Sequence, residues 1–132
     1  MDAAGNVTAG FAAYRAVEGI GAEPGEFMKM AMDATRVFLL QAENGLAVGD
    51  RLAKARALNA AARIVEFMLG LSGAERGGLS DCLAQVYHYI LEAILRGNAS
   101  NDGEAVAAGR VAVEQLAATW RKVFPDALAQ EG

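Results

Sequence analysis

Apolar positions recur at helical spacing in four stretches of the chain, with turn residues between them. The first stretch opens at AEPGEF, where Pro24 suits a first helical turn because its missing N–H is not needed there. It runs to QAENG, with Gly45 as a candidate left-handed stop. The second starts behind Asp50, a good N-cap, and continues through RLAKARALNAAARIVEFMLGLS to Gly73. The third follows Ser80 and ends at Gly97. The fourth begins at SNDGE, where Asn101 and Glu104 have the spacing of a capping box, and Pro125 cuts it off. The pattern predicts helices over about 24–44, 49–71, 80–97 and 102–123. Four helices with short connections read as an all-α, antiparallel four-helix bundle. An arm, residues 1–23, precedes it and a tail, residues 125–132, follows.

Helical wheels divide the apolar residues further. The fourth helix carries one stripe: Val106, Gly109, Val113, Leu116, Ala117 and Trp120. The third aligns Leu83, Val86, Tyr87, Ile90 and Ile94, with Leu91 and Leu95 on a flank. The first has a stripe of Phe27, Met30, Ala34 and Phe38, read as core. A second stripe, Met28, Met32, Thr35 and Leu39, lies about a quarter-turn round. The second helix is polar only along Arg56, Asn59, Arg63 and Glu66. Leu58, Ala62, Val65 and Leu69 face one way; Ile64, Phe67, Met68 and Leu71 face another. So wide an apolar arc exceeds what a surface helix needs. Either this helix is central in the bundle, or its surplus surface meets a partner, a ligand or a second copy. The methionines suit a surface that repacks around another helix.

Composition narrows the function classes. With 12 Lys and Arg against 16 Asp and Glu, the net charge is -4. No dense basic cluster is available to follow a phosphate backbone, so nucleic acid is excluded as a partner. The single cysteine, Cys82, cannot form an internal disulfide, which suits a reducing cytosol. It reads as a small buried hydrophobe. MDAAGNVTAGF lacks the basic and apolar regions of a secretory signal. No apolar run is long enough to span a bilayer. A cytoplasmic protein is expected.

Catalytic readings find no support. His88, the only histidine, lies on the polar side of the third helix with Gln85 and Glu92, and a di-metal bundle site needs paired Glu-x-x-His motifs. Ser72, Ser80 and Ser100 read as turn or cap residues. The glycines of LSGAERGGLS follow a helix and lack the Lys-Ser/Thr pair of a phosphate loop. No catalytic residue, metal or cofactor is expected.

Taken in order, the motifs resemble the flagellar export chaperones that bind flagellin, the FliS family. AYRAVEGIGAEPGEFMKMAMDA supplies Ala13, Tyr14, Pro24, Glu26 and Phe27 at the family's spacing. KARALNAAARIVEFMLGL is similar to its second helix. VYHYILEAILRGNASND matches its Tyr-x-Tyr and Asn-Asp turn, and Trp120 its tryptophan near the end of the last helix. The resemblance covers about residues 11–124. Glu23 departs from the usual Ser or Thr before the proline, and Met32 from the usual aromatic residue.

The resemblance implies a cytosolic chaperone for the C-terminal segment of flagellin, preventing premature polymerisation and delivering the client to the flagellar type III export apparatus. The export gate and a second flagellar regulator are further partners it suggests, with the chain a monomer or weak dimer. The expected client groove and lid comprise Phe11, Tyr14, Met28, Met32, Leu39, Ile64, Met68, Leu71, Leu91 and Leu95. Phe11 and Tyr14 share a face of a short helical turn, and would anchor the arm as a removable lid. Two other readings use the same apolar surplus: a homodimeric helical adaptor, and a carrier of an apolar ligand.

Overall fold

The computed structural model describes residues 24–73 and 78–123. They form four helices: α1 (Pro24–Val48), α2 (Arg51–Gly73), α3 (Gly78–Ser100) and α4 (Gly103–Val123). Each packs against two neighbours in a ring: α1 lies on α2 and α4, and α3 lies on the same two. The chain is an all-α four-helix bundle. The predicted arm and tail lie outside the described residues.

Two tight turns set the ends of the helices. Gly49 takes a left-handed φ of 76°, and its N–H bonds Leu46 O at 3.3 Å. Asp50 then caps α2, its carboxylate accepting from the Ala53 N–H at 3.0 Å. The stop is therefore Gly49 rather than Gly45. Gly45 lies within α1, where a Cβ would come within 3.0 Å of Asp50 O and Lys54 N. Its missing side chain lets the start of α2 lie against α1.

At the other turn Asn101 takes φ 52°, a conformation asparagine tolerates better than most residues. Asp102 is the N-cap of α4, accepting from the Ala105 N–H at 3.1 Å. The cap thus falls one residue beyond the expected Asn101. Likewise α3 runs past Gly97 to Ser100. Gly97 is a packing residue, because a Cβ there would overlap Val106 Cγ2. Gly109 plays a milder version of the same part against Ala93, at 3.1 Å.

Lys54 ties these ends together. It is buried, yet its ammonium donates to Asn98 O at 3.0 Å and to Asn101 Oδ1 at 2.7 Å. A positive charge thereby meets the carbonyl end of α3, where the helix dipole is negative. On the opposite side of the ring the Arg110 guanidinium bonds Glu43 at 2.6 Å and Glu114 at 3.1 Å, joining α4 to α1.

The core runs the length of the bundle: Met28, Met32, Leu39, Leu58, Val65, Met68, Leu83, Tyr87, Ile90, Ile94, Val106, Val113, Leu116 and Trp120 are all buried. In α1 this reverses the expected assignment. Met28, Met32, Thr35 and Leu39 face inward, and Met30 is 62% exposed with Phe27 and Phe38 half-buried. The inward stripe continues into Ala42, whereas the other continues into exposed Gln41. Thr35 is accommodated because its hydroxyl donates to Ala31 O at 2.7 Å.

Candidate docking surfaces

With the core filled, apolar surface remains in two seams. Along the α1–α2 seam, a hollow of about 370 Å³ lies between Phe27, Met30, Ile64, Phe67 and Arg63. A second, of about 610 Å³, lies further along between Val37, Phe38, Val48, Ala53 and Arg56. Phe27 and Phe67 meet edge-to-face across the seam, their ring centroids 6.0 Å apart. The α3–α4 seam holds a hollow of about 670 Å³ between Cys82, Val86, Tyr89, Val111, Ala112 and Gln115. Tyr89 is 53% exposed at its rim. Because α1 neighbours α2, and α3 neighbours α4, the two seams lie on opposite faces of the ring.

The expected client residues divide among these surroundings. Met28, Met32 and Leu39 are buried in the core, and Met68, also buried, forms part of the floor of the first α1–α2 hollow. Met28 also receives the Tyr87 hydroxyl on its sulfur at 3.6 Å, and burial pushes that phenol's pKa upward. Ile64 is half-buried in the α1–α2 hollow. Leu71 is half-buried on α2, packed against the core, and Leu91 is likewise on α3. Leu95 is 67% exposed. The eight of them that are described therefore form no single patch. Phe11 and Tyr14 lie outside the described residues.

The sequence reading named the α2 side of the first hollow, through Ile64, Phe67 and Met68, but not its α1 side nor the α3–α4 seam. Phe27, Met30 and Phe38 had been assigned inward. Tyr89 and Val111 were passed over, although each is an apolar residue off its helix's main stripe, and that is the signal that could have found the α3–α4 seam. Cys82 is exposed, contrary to expectation. Within α3 it lies at the rim of that seam rather than on the core line of Leu83 and Tyr87.

His88 is exposed on α3. Among the described residues no group of three or more His, Cys, Asp or Glu is gathered for a metal ion. No helix among them is long and apolar enough to cross a membrane. What the arrangement offers is apolar surface with a few charges at its edges, which suits the docking of another polypeptide.

Two comparisons with known proteins bear on what the chain is similar to. The sequence model of the family described as Flagellar protein FliS matches residues 8–127. A flagellar secretion chaperone FliS of Salmonella typhimurium strain LT2 is 29% identical over 114 residues, covering 85% of this chain and 84% of the relative.

Proposed function

The chain belongs to the FliS family of flagellar proteins, which are export chaperones and not enzymes, and on that premise we propose that its client is the C-terminal segment of flagellin. The observation that carries this reading is the pair of apolar seams left open after the bundle has filled its own core. Filament subunits need terminal helices with apolar faces in order to pack together, and the same faces make free subunits associate too early. A bundle with unfilled seams on two sides can cover such a segment stoichiometrically until it is handed to the export apparatus. This work belongs in the cytosol, before export. Ile64, Leu71, Leu91 and Leu95 remain candidate contacts, with Phe11 and Tyr14 of the arm.

Thermal unfolding tests the reading. A flagellin C-terminal peptide that binds only the folded chain raises the midpoint by mass action, and more so as its concentration rises. An unchanged midpoint at saturating peptide, with the free chain a constitutive dimer by light scattering, would instead favour the homodimeric adaptor.

A further inference from the structure

The α1–α2 seam has a charge pattern that the whole chain does not share. The chain is acidic, at -4, yet the α2 edge of this seam presents Arg63 beside the first hollow and Arg56 beside the second. Both are exposed, and among the described residues neither makes a hydrogen bond or an ion pair. They are seven residues apart, so they stand about 10 Å apart along one edge of the helix, two turns from each other. The facing edge of α1 offers Met30, Val37, Gln41 and Asn44, none of them charged. Among the described residues Asp50 is the only carboxylate lining either hollow, and it is already engaged as the cap of α2. By contrast the α3–α4 hollow is rimmed by Gln85, Gln115 and Thr119, which specify no partner charge.

We propose that the α1–α2 seam holds an amphipathic helix of the client whose apolar face fills the two hollows and whose edge beside α2 carries two carboxylates two turns apart. Those carboxylates pair with Arg56 and Arg63. The apolar floor supplies affinity, and the two arginines set which edge of the incoming helix lies against α2 and in which register. This rests on the reading of the chain as a chaperone of a helical export client and names the chemistry of the segment it takes there.

The test uses the full chain and three probes. One is the flagellin C-terminal segment. The others are designed amphipathic helices with the same apolar face, one bearing Glu at two positions seven apart on one edge and the other Lys. Binding is measured at low and high salt for the natural chain and for an Arg56→Glu, Arg63→Glu variant. Because both side chains are exposed, the variant should keep its helix content and midpoint. The natural chain should bind the Glu-edged helix about tenfold more tightly than the Lys-edged one, with the difference shrinking at high salt. The variant should reverse that preference. Equal binding of the two designed helices, or no reversal in the variant, overturns the proposal. So does self-association that the variant abolishes and that blocks peptide binding, since the seam would then belong to a second copy. Flagellin binding that is identical in both chains sinks this inference and leaves the chaperone reading standing. A charge preference without any flagellin binding does the reverse.

Discussion

Replacing Lys54 with Met removes a charge from the junction of three helices while keeping most of its stem in place. In the native protein Lys54 is 5% exposed and its ammonium makes two short bonds, to Asn98 O and Asn101 Oδ1. Hydrogen bonds to a charged group are worth about 1.5–3 kcal/mol each, so two of them give roughly 3–6 kcal/mol. Against this stands the cost of burying an ammonium, several kcal/mol, which the methionine avoids. The variant also leaves a carbonyl at the end of α3 and the Asn101 amide without their donor. The balance is a net loss of about 2 kcal/mol. Urea unfolding followed by helical circular dichroism measures it. Asn101→Gly keeps the left-handed turn and deletes only the acceptor, so a double-mutant cycle isolates the pair. We expect a coupling of about 1 kcal/mol or more. A Lys54→Met variant within about 0.5 kcal/mol of the natural chain, or a coupling near zero, would refute the claim that this buried lysine holds the turn together.

The other predictions address core, glycine and surface. Trp120→Ala should cost about 3–5 kcal/mol in the same assay, because the side chain is buried at the end of α4; a cost below 1 kcal/mol would mean that end is not packed as described. Gly97→Ala should cost about 1–3 kcal/mol through overlap with Val106, and Val106→Ala in the same chain should recover part of it. Ile64→Asp should weaken client binding with helix content retained, whereas Met68→Asp should unfold the bundle; the opposite pair of results would exchange their places in the structure. Burial raises the Tyr87 pKa, so the unfolded chain loses that proton more readily, and stability should fall as pH climbs above the ordinary value of 10.0. Tyr87→Phe should flatten that alkaline decline, as followed by denaturation at increasing pH.

The bundle was legible because local signals agreed with one another. Pro24 and Asp50 mark helix starts by backbone chemistry alone, and the stripe of Val106, Val113, Leu116 and Trp120 has no rival on its own helix. The family resemblance carried by VYHYILEAILRGNASND likewise depended on order and spacing, which the chain preserves. Where two glycines stood close in sequence, the choice failed. The sequence reading took Gly45 as the end of α1, and only packing shows that Gly45 is pressed against Lys54 while Gly49, four residues on, turns the chain. The inward face of α1 was missed for a related reason. Phe27 and Phe38 are larger than Thr35 and Ala42, yet small residues are what permit a close approach to neighbouring helices. Periodicity finds stripes, and it does not say which of two faces the other three helices. Three candidate contacts inherited that error: Met28, Met32 and Leu39 stand on the inward face of α1, whereas Met68 on α2 is buried at the floor of the hollow that Ile64 lines.

Calorimetric titration of the full chain with the C-terminal segment of flagellin from the same source tests the central claim most directly. The account predicts saturable one-to-one binding with a negative heat-capacity change, the mark of apolar surface leaving water, and a matching loss of flagellin's ability to polymerise. Absence of binding by a folded, monomeric chain, or flagellin polymerising unhindered at equimolar chaperone, would contradict it.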